Sequence, residues 1–127
     1  METRAGRSAT FRRLCTELGH RDVVVQVLTG RTQHRARASL LHRITVAGDV
    51  RYLFVVIDPN GAARRVIATL AHELQHAIEV ARETEVGRSI PVDRFFMQIA
   101  NVRCGEANCF ETSAAIRVQH EVLRELD

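Results

Sequence analysis

Residues 67–80 read Ile67-Ala-Thr-Leu-Ala-His-Glu-Leu-Gln-His-Ala-Ile-Glu-Val80. Val66, Ile67, Leu70, Leu74, Ala77, Ile78 and Ala81 recur at helical spacing, so the stretch reads as the middle of a long helix from about Ala62 to Glu85. Its apolar stripe is broad enough to put this helix at the centre of a core. His72 and His76 stand at i and i+4, one above the other, with Glu73 beside them. Two imidazoles so spaced can reach one Zn²⁺, and the carboxylate can touch a water on the open side of the metal. Zinc lowers the pKa of that water to about 7, and the carboxylate can take its proton and deliver it to a leaving amine. At this chain's His and Glu frequencies the HExxH pattern arises by chance in roughly 2% of shuffled sequences. The competing reading, two His on a polar flank and a surface Glu73, sits poorly with a helix otherwise built of Ala, Leu, Ile and Val, because desolvated imidazoles need partners.

Working outward, Ser8 caps a short amphipathic helix bearing Phe11, Leu14, Cys15 and Leu18, stopped by Gly19. Asp22 to Thr29 reads as a buried strand, and Ser39 to Ala47 as a half-exposed one that includes His42. Gly48-Asp49 fits a two-residue II′ hairpin turn into an apolar strand from Val50 to Ile57. After the HExxH helix and Gly87, Pro91 opens a helix carrying Val92, Phe95, Phe96, Ile99 and Val102, and a last helix runs from about Cys109 to Glu125. The expected fold is α+β: a small three-stranded, mostly antiparallel sheet packed against a central HExxH helix and further helices.

A catalytic zinc needs a third protein ligand, and two carboxylates compete. Glu79 shares the helix face of His72 and His76 but starts a turn further along. Glu111, 35 residues after His76, is expected in the first turn of the last helix and approaches from a different direction, which closes a tetrahedron better. Glu111 is therefore preferred, with Glu79 as an outer partner of a ligand or a solvated acid. Asn108 and Glu111 also fit a capping arrangement with Glu at N3, which does not exclude a ligand role.

An HExxH helix preceded by a strand and followed by a second helix bearing a glutamate resembles the gluzincin metallopeptidases. More closely, Ile67 to Val80 together with Phe110-Glu-Thr-Ser-Ala114 looks like small bacterial HExxH proteins of the minimal-gluzincin type. The resemblance implies that His72, His76 and Glu111 bind Zn²⁺, that Glu73 is general base and acid, and that a peptide or protein is the substrate. It further implies that the strand with Tyr52, Leu53, Phe54 and Val55 is an edge to which an extended peptide can add. Two features depart from the family. Where the larger gluzincins place an Asp that orients a zinc His, this chain has Ala115. No oxyanion donor is assigned either: His120 and Arg117 point away from the face of Glu111, and Tyr52 reads as a packing residue.

With 127 residues and 46% hydrophobic content the chain 1–127 reads as a single minimal zincin-like domain, too small for a two-lobed enzyme, so its site is expected to be an open groove. All 18 cationic residues are Arg, and residues 1–65 carry a net charge of +7 against −4 for the rest. The basic run Arg31-Thr-Gln-His-Arg-Ala-Arg37 has no aromatic to stack on bases, so nucleic acid is not the favoured partner. Three cysteines exclude a full disulfide framework, although Cys104 and Cys109 could bridge a short loop in an oxidising compartment. No apolar run approaches 18 residues and Met1 to Arg7 lacks a signal-peptide core, so a soluble chain without a membrane span is expected, cytoplasmic as written and exported only with an upstream segment. Oligomeric state is not legible. The leading function is a zinc-dependent hydrolase cleaving peptide bonds. The rival is a non-catalytic zinc-binding regulatory or interaction domain, and a third reading is a basic nucleic-acid module.

Overall fold

The computed structural model describes residues 3–32, 37–102 and 110–127. Helix α1 (Ala9–Gly19) is followed by strands β1 (Val23–Thr29), β2 (Ala38–Leu40), β3 (Thr45–Ala47) and β4 (Val50–Ile57), then by helices α2 (Ala63–Arg82), α3 (Val92–Ile99) and α4 (Ser113–Glu125). The α+β class holds, and two of the three strand pairings are antiparallel.

The sheet has four strands rather than three, because the expected Ser39 to Ala47 strand is broken in two. Ala38–Leu40 and Thr45–Ala47 each pair antiparallel with β4, at its end and its start respectively, while residues 41–44 leave the ladder. Ile44 anchors that break: it packs on the main core and closes against Gly87, where an added Cβ would lie 2.9 Å from the isoleucine side chain. The hairpin from β3 to β4 turns at Gly48, whose φ of +60° suits a glycine.

The odd-numbered residues of β4 face the helices and the even-numbered ones face away, as the pleat requires. Leu53 and Val55 pack with Leu40, with Ala77, Val80 and Ala81 of α2, and with Phe95 and Phe96 of α3. The opposite flank of α2, with Ala68, Ala71, Leu74 and Ile78, packs on Leu14 of α1 and on Val118, Val122 and Leu126 of α4. The HExxH helix is thus covered on both flanks.

Helix α2 ends at Arg82, earlier than the expected Glu85, and the cause is Arg51. This fully buried side chain on β4 donates to the carbonyls of Val80, Ala81, Glu83 and Val86, and pairs with Asp22 at 2.6 Å. A strand guanidinium therefore closes the helix end that a C-cap would otherwise satisfy. Helix α3 stops at Ile99, so Val102 is extended and bridges Glu111. Helix α4 starts at Ser113, not near Cys109, with Thr112 as N-cap accepting from the amide of Ala115. The Cys104–Cys109 pairing, the Asn108 cap and the centre of the basic run lie outside the described residues.

Candidate metal centre

His72 and His76 sit one helical turn apart on α2, with ring centroids 5.0 Å apart and the rings nearly edge-on. Their Nε2 atoms converge on one acceptor, Glu111 Oε1, at 2.8 and 2.9 Å. Glu111 does not stand in the first turn of α4 as expected. It lies in the extended residues before the Thr112 cap, and its carbonyl accepts the amides of Asn101 and Val102. That strand-like bridge aims the carboxylate at α2 from outside the helix.

Ligand-capable atoms of His72, Glu73 and His76 all lie within 4.8 Å of one another, so this cluster could hold a metal ion. The donor set fits one. In a tetrahedral zinc site with bonds of about 2.0–2.1 Å, neighbouring ligand atoms stand roughly 3.3 Å apart, so the present His–Glu111 separations need only a few tenths of an ångström of opening. Glu73 supplies an independent sign: the residue is 8% exposed, and its Oε2 has no hydrogen-bond partner. A buried carboxylate oxygen left unpaired is costly unless a cation or an ordered water meets it.

The outer nitrogens of both imidazoles are also occupied. His76 Nδ1 meets Glu79 Oε1 at 2.8 Å, and Glu79 Oε2 accepts from the Thr112 hydroxyl at 2.8 Å. His72 Nδ1 meets Gln119 Oε1 at 2.7 Å. With an oxygen at both of its nitrogens, each ring donates from Nδ1 and Nε2 when charged, and a neutral ring that keeps its proton on Nδ1 presents a bare Nε2 to a cation. Glu79 thus stands behind His76 rather than beside the converging nitrogens. Thr112 and Gln119 were not legible as site residues. The one signal was Gln119 falling on the core stripe of α4 between Ala115 and Val122, where an apolar residue belongs.

Burial pushes His76 down, but its hydrogen bonds to Glu111 and Glu79 outweigh that and raise it to about 10. Burial likewise opposes ionisation of Glu111, yet the two imidazoles prevail and hold it at about 2. His72 is raised too, burial being outweighed by the Glu111 bond. Glu73 is raised because burial exceeds the pull of His76 and His72.

The expectation for Tyr52, Leu53, Phe54 and Val55 is corrected. They lie on β4, whose two edges are both taken: β1 runs parallel along one, while β3 and β2 run antiparallel along the other. A peptide cannot add to a central strand. Tyr52 also faces away from α2, so it cannot serve the centre. The strand nearest the site is β2, terminal on its side of the sheet among the described residues. Leu41 N–H bonds Phe54 O, so the alternation of the antiparallel ladder turns the Leu40 N–H outward, where it acts on the Glu73 carboxylate.

His42 follows in the break after β2, not within a strand. Phe96 and Phe110 stack on it at 5.5 and 5.7 Å, and Phe96 meets His76 edge-on at 5.4 Å. His120 and Arg117 are exposed. A cleft of about 430 Å³ flanks the centre on the N-terminal side of α2, with Arg37, Arg65, Thr69 and Gln119 in its walls. No helix is long and apolar enough to cross a membrane among the described residues. Comparison with known proteins gave no matching family model, no matching curated protein and no matching solved structure.

Proposed function

We propose that this chain is a zinc-dependent hydrolase of the gluzincin type that cleaves peptide bonds. The observation that carries the reading is the convergence of His72 Nε2 and His76 Nε2 on Glu111 Oε1, beside the unpaired buried oxygen of Glu73. His72, His76 and Glu111 would hold the ion. Zinc, when bound, supplies a Lewis acid and brings the pKa of a water it holds to about 7.

The chain's own residues do the rest. Glu79 and Gln119 orient both imidazoles and accept from Nδ1–H, so that Nε2 can turn its lone pair to the ion once its own proton is lost. Glu73, one residue from His72 and with one oxygen unpaired, is placed to take a proton from the attacking water and pass it to the departing amine nitrogen. Its burial supports that role, since a carboxyl raised above the usual carboxylate range holds a transferred proton more readily than a solvated one.

Metal analysis of purified protein alongside assays on a mixed peptide library tests this. One zinc per chain is expected in the wild type and in Glu73→Gln, and little in Glu111→Ala. Cleavage is expected from the wild type alone, with Glu73→Gln at least about 100-fold slower. A wild type without stoichiometric zinc would overturn the centre, and equal cleavage by Glu73→Gln would overturn the chemistry. Zinc binding with no cleavage of any peptide would leave the non-catalytic binding domain as the better reading.

A further inference from the structure

His42 has no part in the ligand set, yet its setting is unusual for a packing residue. The imidazole stacks near-parallel on both Phe96 and Phe110, at interplanar angles of 17° and 21°. Two stacking partners restrain the orientation of the ring. The residue nonetheless stays solvent-exposed.

Neither nitrogen meets a hydrogen-bonding partner among the described residues. A stack that needed only an aromatic plate would be better filled by phenylalanine, which has no polar edge to satisfy. The position is equally specific. One phenyl ring, that of Phe96, separates His42 from His76, and Phe110 is the chain neighbour of Glu111. Two residues before His42, the Leu40 amide acts on Glu73. His42 therefore stands beside the centre, just past the end of the strand that borders it. Burial lowers its pKa, Asp93 opposing and the nearby His76 assisting, which favours the neutral ring with one donor and one acceptor.

We propose that His42 contacts the substrate, its ring edge hydrogen-bonding a backbone amide or carbonyl of a peptide whose reacting group is held at the His72–His76–Glu111 centre. This rests on the zinc-hydrolase reading. His42 adds a polar group just beyond the end of β2, beside the centre. The role is binding and alignment of the peptide beside the reacting bond, where one hydrogen bond from a restrained ring costs little entropy to form.

The test uses the zinc-loaded protein with two ligands that share a metal-binding group: acetohydroxamate, which reaches only the metal, and an N-acetyl dipeptide hydroxamate, which also extends past the metal. His42→Phe keeps the stacked plate and removes both nitrogens. The expected result is unchanged zinc content, unchanged acetohydroxamate affinity, and about tenfold weaker binding of the dipeptide hydroxamate. Equal dipeptide-hydroxamate affinity in the wild type and His42→Phe overturns the proposal. So does an equal loss on both ligands, because that reports damage to the centre rather than a lost contact. A zinc-loaded wild type that binds neither hydroxamate removes the hydrolase reading, and this proposal with it, so the two failures are told apart.

Discussion

Glu79 Oε1 lies 2.8 Å from His76 Nδ1, on the side of the ring opposite the nitrogen that faces Glu111. A carboxylate in that place sets the ring's tautomer and strengthens its donor nitrogen without touching an ion. Glu79→Ala is therefore expected to weaken zinc binding about 10- to 100-fold, and Glu111→Ala to weaken it further. Competition against a chromogenic chelator measures both. Full zinc retention in Glu111→Ala with loss in Glu79→Ala would exchange their roles.

The metal-free protein should lose stability on the alkaline side. His76, ordinarily near 6.5, is raised to about 10 in the fold, so its charged interaction with Glu111 and Glu79 is fully present below about 6.5 and fades as the pH climbs to about 10. Glu111 falls from 4.5 to about 2, so the same interaction is present above about 4.5 and fades as the pH drops towards 2. Thermal melts of chelator-treated protein are expected to peak between these limits. A Tm that does not change from pH 6 to pH 10 would contradict the buried charge cluster.

Replacing Arg51 with Met should be among the most damaging single changes outside the centre. It leaves Asp22 with only Arg88, at 3.7 Å, and takes a donor from the carbonyls of Val80, Ala81, Glu83 and Val86, of which Val80 and Glu83 keep a backbone amide. Loss of a buried, multiply bonded charge costs about 3–5 kcal/mol. Asp22→Asn should cost less, since that side chain is 31% exposed and the four carbonyl bonds survive. Urea titration of both variants decides the order.

Gly87→Ala combines two penalties. The backbone sits at φ +87°, and a new Cβ would meet the Ile44 side chain at 2.9 Å. A cost of about 1–3 kcal/mol is expected. Adding Ile44→Gly to the variant removes all three close Ile44 carbons but not the backbone strain at residue 87, so a denaturation cycle that includes Ile44→Gly alone separates the two contributions.

Much of this was legible because periodicity and spacing are local. The central helix, its two histidines and the glutamate beside them follow from positions 67–80, and the strands at Val23–Thr29 and Val50–Ile57 follow from residue type and turns. What was not legible depends on contacts distant in sequence. Tyr52 to Val55 read as an edge because nothing local tells that β1 returns parallel to that strand. The break at His42 is imposed by Ile44 seated on Gly87, 43 positions away by residue number. Arg51 read as an ordinary strand residue, although it ends a helix lying some 30 residues onward. Gln119 and Thr112 matter only because α4 docks against α2.

The distance of Glu111 from the histidines along the chain bears on how the centre is assembled. His72 and His76 come together as soon as α2 forms, whereas Glu111 meets them across 39 and 35 positions. Such distant closure is the slow, entropically costly part of folding. On the zinc reading, an ion met early finds two ligands, and the third comes only with the docked native chain. Occupancy then favours the native state by mass action, by roughly 4 kcal/mol when the free ion stands about a thousandfold above its Kd. Scarcity of metal would therefore show first as faster proteolytic turnover of the chain, so its cellular abundance would track metal supply.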